Sequence, residues 1–348
     1  MTISAGSPIR LVIVTDAWKP QVNGVVTTLG KTRDTVIKLG HQVHVINPSE
    51  CKTIPCPTYP EIRLALGATK YVKKQISEFQ PTHIHISTEG PLGQAARKYC
   101  IKNKLAFTTS YHTQFPEYIR ERFPIPLSIS YMFFRRFHSK ATRTMVGTPH
   151  QRKILQDRGF KNISLWTRGV DTEIFKPRNK DYLDYPRPIW IYVGRVAVEK
   201  NIEAFLSLDL PGTKVVIGDG PATDELCGKY PDVKFEGYKF GEELASYIAS
   251  GDVFVFPSLT DTFGVVMLEA MACGLPVAAY PVTGPRDVVR KGVTGILDED
   301  LNRAALQALK LNPQDCISQA LEYTWEQATL QFINNLTLAH FKINKPSL

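Results

Sequence analysis

Residues 253–282 read VFVFPSLTDTFGVVMLEAMACGLPVAAYPV. The run Val253–Phe256 is apolar throughout, as a strand covered on both faces requires. Pro257 interrupts it, and a polar loop leads through Asp261 to Gly264. From about Phe263 the spacing is that of a helix, and a second short apolar run, Val277–Ala279, follows. Strand, helix and strand in one stretch form the unit of a parallel sheet.

The same alternation extends in both directions. Toward the C-terminal half, strands are expected at Ile189–Val193, Lys214–Ile217 and Val233–Phe235. In the N-terminal half they are expected at Arg10–Thr15, Gln42–Ile46, His83–Ile86, Ala106–Thr109 and Thr144–Val146, with helices opening near Gly24, Thr69, Pro91, Leu127 and Pro149. The fold class is therefore α/β, with two open parallel sheets. The stretch KPRNKDYLDYPRP, residues 176–188, breaks the rhythm with three prolines and dense charge, as a linker does. It divides the chain into an N-terminal domain over residues 1–175 and a C-terminal one over 189–323, followed by a helix over 324–348 that returns toward the first domain. Ligands of open α/β sheets gather at the carboxyl ends of the strands. Two such sheets facing each other predict an interdomain cleft.

A chain of 348 residues is long for one core, and 43% hydrophobic with 22% charged residues is ordinary for a globular protein. The opening MTISAGSPIR lacks the apolar core of a signal peptide, and no apolar run is long enough to span a bilayer, so a cytoplasmic location is expected. Six cysteines without metal-ligand spacing read as free thiols. The net charge of +9 implies an anionic partner. Zinc-finger spacing and interleaved RNA-stacking aromatics are missing, so that partner is not expected to be nucleic acid.

Several strand-end loops carry chemistry-bearing residues. Gly24, after Asn23, precedes a helix and allows backbone amides to approach an anion, although a plain strand-to-helix turn would use the same residue. The three spaced glycines of a dinucleotide fold are absent, which disfavours NAD. In VGRVAVEKN, Arg195 and Lys200 share one loop and suit a diphosphate, with Asn201 placed to cap the next helix. Asp261 stands at the helix entrance and Glu269 eight residues later, two carboxylates able to hold sugar hydroxyls. The amides of Phe263, Gly264 and Val265 lie at the positive helix end. Glu269 sits among Met267, Leu268, Ala270 and Met271, where an unpartnered charge is costly.

These segments together resemble the signature of the retaining glycosyltransferases of family GT4, whose two-domain architecture is called GT-B. The resemblance runs through VTDAWKPQVNGVVTTL, TEGPLG, YHTQFPEY, TRGVDTEIFKP, VGRVAVEKN, IGDGP and TDTFGVVMLEAMACGLPV, in the family's order, over nearly the whole chain. It is nearest in flavour to bacterial α-mannosyltransferases, which often act on lipid acceptors. The resemblance implies that Arg195 and Lys200 bind the donor diphosphate, that Glu269 holds the ribose, and that Phe263 to Val266 lend backbone amides. It puts Asp261, where the family usually has Glu, opposite the donor sugar, Gly24 at the family's glycine pair, and His112 at the reaction centre. The catalytic set is thus His112, Asp261, Arg195 and Lys200. His83 and His85 alternate along a strand and read as structural.

The expected activity is transfer of a hexosyl group to a hydroxyl, with no metal or other cofactor; the resemblance implies mannosyl from GDP-mannose in the first place, and a lipid or glycan as acceptor. Alternatives are a UDP-sugar donor, a nucleotide-sugar epimerase or phosphorylase, and a non-catalytic protein that binds a nucleotide sugar or a membrane surface. Asn23 and Glu89 are candidates for the acceptor side. In the segment 127–143 helical spacing places Phe133, Phe137 and Ala141 on one stripe and Arg136, Lys140 and Arg143 on a neighbouring one. Such a helix can pack on a core or lie on an anionic bilayer, at the inner face of a membrane.

Overall fold

The computed structural model describes residues 8–56, 59–122 and 125–340, without the side chains of 59–62, 118, 121 and 122. The first seven residues of the opening segment read for a leader peptide and the last eight residues of the C-terminal segment lie outside the described residues. The chain divides into two compact units, one of residues 1–167 with 328–348 and one of residues 168–327.

In the first unit the elements run β1 (Arg10–Val14), α1 (Gly24–Lys38), β2 (Gln42–Ile46), the antiparallel hairpin β3 (Thr53–Cys56) and β4 (Tyr59–Ala65), α2 (Ala68–Phe79), β5 (His83–Ile86), α3 (Pro91–Lys102) and β6 (Thr108–Ser110). They continue through α4 (Phe115–Arg122), α5 (Leu127–His138), β7 (Arg143–Val146), α6 (Pro149–Asp157) and β8 (Ile163–Leu165). Six parallel strands form the sheet β2-β1-β5-β6-β7-β8. β1 shows why every residue of its centre is apolar. Val12 and Val14 pack with Val72, Ile76 and Leu92 from α2 and α3 on one face. Leu11 and Ile13 pack with Leu29, Val36, Trp166 and Phe332 on the other. The strand is sandwiched, so alternation of polar and apolar residues vanishes.

The second unit repeats the plan with β9 (Ile189–Val193), α7 (Glu203–Leu206), β10 (Thr213–Ile217), α8 (Thr223–Lys229), β11 (Lys234–Phe235), α9 (Gly241–Ala249), β12 (Val253–Phe256), α10 (Val265–Ala272), β13 (Val277–Ala279), α11 (Pro285–Val288), β14 (Gly295–Leu297), α12 (Leu301–Ala308) and α13 (Pro313–Ala320), and α14 (Trp325–Asn335) spans the boundary between the units. Its parallel sheet has the order β11-β10-β9-β12-β13-β14. Ile189 and Ile191 face the α10 residues Met267, Leu268 and Met271, while Trp190 and Tyr192 face Phe205 and the α12 alanines. In both sheets the strand order reverses beside the first strand, between β1 and β5 and again between β9 and β12. Those reversals open a crevice at the carboxyl edge, where ligands of this sheet type bind.

Three sequence expectations change. The segment 176–188 lies within the second unit, tied down by ion pairs from Lys180 and Arg187 to Asp252. The helix expected over 127–143 ends at His138, and Arg143 opens β7. Phe137 and Ala141 are therefore buried in the core while Phe133 is 52% exposed, and the three share no stripe.

Candidate active site

The second sheet's crevice is lined by the loops after β9 and β12. Lys200, in the first, donates to both carboxylate oxygens of Asp261 in the second, at 2.7 and 2.9 Å. Both side chains are about a fifth exposed, so the pair is only partly screened by water. Asn201 does not cap the following helix as its position predicts; it ends the 3-10 turn Val198–Lys200, and Ile202 precedes α7. Its backbone is left-handed, with φ 51°, and its side-chain amide donates to the Pro257 carbonyl at 3.0 Å, a second tie between the same two loops. The Arg195 guanidinium stands 3.8 Å from the carboxylate of Glu199, which is buried.

α10 begins at Val265, two residues later than expected, because Gly264 holds a left-handed φ of 80° at its start. Asp261 thus sits in the loop before the helix, and only Glu269 rides on α10, half-buried. A Cβ on Gly264 would fall 2.7 Å from the Met267 methyl group, so both conformation and packing demand glycine there. No side chain caps α10. The amides of Val265 and Val266, in its first turn, point outward with the positive end of the helix. Two cations, a carboxylate and a helix N-terminus on two loops of one crevice can bind a diphosphate and a polyol side by side.

At the first sheet's crevice, His112 follows β6 and lies edge-on to Trp166, ring centroids 5.6 Å apart. Gly24 opens α1 on the exposed surface, and a Cβ added there would meet nothing within 4 Å. Packing within the chain does not require this glycine. Asn23 is the N-cap of α1, its Oδ1 accepting from the amides of Val25 and Val26 at 3.0 Å. Glu89 faces His138, with Oε1 3.1 Å from the imidazole Nε2. His85 is fully buried, with its ring nitrogens against Thr108 and Ser110 and its faces against Trp166 and Phe332. The cations proposed for a membrane, Arg136, Lys140 and Arg143, are all exposed, and the Arg143 guanidinium donates to the Asn334 carbonyl at 2.9 Å.

Two family models match the chain, Glycosyltransferase Family 4 over residues 22–174 and Glycosyl transferases group 1 over residues 187–311. A GDP-mannose-dependent alpha-mannosyltransferase of Mycolicibacterium smegmatis is 30% identical over 329 residues, which cover 86% of this chain and 87% of that protein. The chain belongs to glycosyltransferase family 4. A sulfoquinovosyl transferase of Arabidopsis thaliana is 34% identical over 266 residues, 71% of this chain, and the chain spans about half of that longer protein, 52%. Among solved structures, sucrose-phosphate synthase of Thermosynechococcus elongatus superposes with a TM-score of 0.74 over 93% of this chain and 97% of its own, at 20% identity, which establishes the GT-B fold.

Two further buried charged residues near these loops escape sequence reasoning. Asp16, just past β1, is buried and accepts from the amides of Leu92 and Gly93 and from the Thr88 hydroxyl, at 2.9, 3.3 and 2.8 Å. It thereby caps α3 from a neighbouring loop. Two separate close approaches explain the glycines of TEGPLG. A Cβ on Gly90 would fall 2.5 Å from the Asp16 carboxyl carbon, and one on Gly93 would fall 1.8 Å from the Thr88 carbonyl oxygen. Arg168, in TRGVDTEIFKP, is buried with its guanidinium 6.0 Å from the Phe263 ring centroid. An aspartate two residues beyond a strand was the available signal for Asp16. For Arg168, whose contact with Phe263 spans 95 positions of sequence, there was none.

Proposed function

We propose that this glycosyltransferase moves a hexosyl group, mannosyl from GDP-mannose in the first instance, to a hydroxyl of a lipid or glycan acceptor, with retention of anomeric configuration. The observation that carries the reading is the union of Arg195, Lys200, Asp261 and the uncapped start of α10 on the loops after β9 and β12. The donor diphosphate lies against Arg195, Lys200 and the amides of Phe263 to Val266, and Glu269 takes the ribose. Asp261 takes a sugar hydroxyl. Charge building up on the leaving diphosphate is neutralised by fixed cations and dipoles, so positioning and electrostatics supply the rate. No metal ion enters this scheme, and His112 serves the acceptor half at the reaction centre.

The acceptor is presented at the surface of an anionic bilayer, where the protein is peripheral. Among the described residues no helix is long and apolar enough to cross a membrane. Thermal-shift titration with GDP and with UDP, followed by a donor screen on the purified protein, tests the proposal. A stronger response to UDP moves the donor to a UDP-sugar. Donor consumed without a glycosylated product points to an epimerase or phosphorylase, and binding without turnover to a non-catalytic protein.

A further inference from the structure

The carboxyl edge of the first sheet carries a second polar assembly that the donor scheme does not use. Glu89 lies three residues beyond β5, and His138 is the last residue of α5. The His138 side chain is 1% exposed and that of Glu89 10%. The imidazole Nε2 is 3.1 Å from Glu89 Oε1, and Nδ1 is 2.9 Å from the Thr109 hydroxyl at the heart of β6. Thr109 is in turn 3.0 Å from the Thr144 hydroxyl of β7. With the Thr109 hydroxyl donating to Nδ1, Nε2 carries the proton and donates to Glu89, which fixes the tautomer. The His138 ring also packs against Tyr111, the residue before His112, with centroids 5.9 Å apart.

This arrangement is costly for a fold to keep. A carboxylate and an imidazole withdrawn from water lose hydration, and apolar residues of similar volume commonly serve stability as well or better. Here the carboxylate is retained at the edge where ligands of such sheets bind, in the loop between β5 and α3. Its rotamer is held from behind by a histidine that Thr109 holds, and Thr109 is held in turn by Thr144. A carboxylate fixed in this way is a preorganised acceptor for hydroxyl groups of a polyol.

We propose that Glu89 binds a hydroxyl of the acceptor substrate, a polyol such as a sugar ring, and that His138 is the positioning residue that aims its carboxylate. The proposal rests on the transferase reading given above and assigns its acceptor subsite. Glu89 accepts a hydrogen bond from the acceptor through the carboxylate, and His138, which touches no substrate, sets its orientation.

The test uses the full chain with octyl α-D-mannoside as probe acceptor and GDP and UDP as probes of the donor site. In ¹⁵N-labelled protein, the probe should shift the His138 imidazole resonances, assigned with His138→Gln. Glu89→Gln should raise the KM for the probe by about tenfold or more, the loss expected when a hydrogen bond to a charged group becomes one to a neutral group. The affinity for GDP or UDP should stay within about twofold, since the nucleotide contacts other residues. His138→Phe, which keeps a ring but no donor, should raise the same KM, and His138→Gln, which restores an N–H, should recover part of it. If His138→Phe fails to fold, Glu89→Gln and the resonance shift still decide. His138 resonances unmoved by the probe, or Glu89→Gln with wild-type KM, overturns the acceptor subsite. Failure to bind either nucleotide overturns the transferase reading instead, and a probe-induced shift of His138 would survive that result.

Discussion

Lys200 grips Asp261 through both carboxylate oxygens, at 2.7 and 2.9 Å, across the point where the strand order of the second sheet reverses. The cation read as a diphosphate ligand and the carboxylate read as a sugar ligand are thus one unit. Removing either leaves the other charge partly buried without its partner. Lys200→Ala and Asp261→Ala should each lower kcat/KM by the equivalent of about 2–4 kcal/mol. The double variant should lose clearly less than the sum, because contacting residues are not independent. Strict additivity in steady-state kinetics would show that the two act separately. Arg195→Ala should fall in the same range, and wild-type rates in Arg195→Ala and Lys200→Ala would remove both from the site.

Asp261 and Glu269 should separate by what they bind. Asp261 lies in the loop, and Glu269 on α10. Glu269→Ala should weaken GDP or UDP binding by about tenfold or more, as expected for loss of a charged hydrogen-bond acceptor. Asp261→Ala should act mainly on kcat, since its contact is to the transferred sugar. Isothermal titration with the nucleotide and kinetics with the sugar donor check both halves. Equal effects on nucleotide affinity would refute the division.

Glycines offer a sharper separation of fold from function. Gly24→Ala fills open space at the first turn of α1, so stability should hold or rise by about 0.4–1 kcal/mol. Turnover should nonetheless drop, because the added methyl group stands where an anion is expected to approach the helix start. Gly93→Ala does the reverse, forcing a Cβ to within 1.8 Å of the Thr88 carbonyl and costing about 1–3 kcal/mol of stability. Urea unfolding and initial rates read the two effects. An active and stable Gly24→Ala protein would take that glycine out of the binding site.

These contrasts also mark what the sequence could disclose. β1, β9 and β12 were legible because strands covered on both faces leave unbroken apolar runs, as in IWIYV, and β5 because His83 and His85 alternate with Ile84 and Ile86. The edge strands β8 and β14, of three residues each, and the hairpin of β3 with four and β4 with seven were not, since such short or mixed stretches carry no clear periodicity. Within the site, Arg195, Lys200, Asp261 and Gly264 could be named from loops after strands, but Lys200 and Asp261 lie 61 residues apart and their pairing depends on sheet order. Asn201 looked like a cap because Asn usually is one, and tertiary contact with Pro257 prevailed. Glu89 was left open because its partner His138 arrives from a helix 49 residues away.

Metal removal tests the electrostatic scheme. Among the described residues no group of three His, Cys, Asp or Glu could hold a metal ion. The proposed cations are Arg195 and Lys200, so dialysis against EDTA should leave the transfer rate unchanged. Loss of activity in EDTA with recovery on adding Mg²⁺ or Mn²⁺ would require a metal in the diphosphate site and a smaller share for the side chains.

On α5 the exposed residues arrange differently from the stripe predicted by sequence, and more favourably for a bilayer. Ile129, Met132 and Phe133 are 53, 56 and 52% exposed. Their spacing continues to Arg136 on the same side of the helix, with exposed Lys140 just beyond its end. An apolar stripe leading into cations can sink into the headgroup boundary while the charges meet lipid phosphates. The protein should co-sediment with vesicles containing anionic lipid and be released by salt. Reversing Arg136 and Lys140 to Glu should weaken binding by about tenfold or more, at roughly 1 kcal/mol for each basic residue near the surface. Changing Ile129, Met132 and Phe133 to Ser should weaken it comparably at low salt, where electrostatics alone is strongest. Arg143→Gln should leave binding intact, because that guanidinium is committed to the Asn334 carbonyl. If the wild type stays in the supernatant with anionic vesicles at low salt, α5 is not a membrane surface and the acceptor is to be sought among soluble glycans.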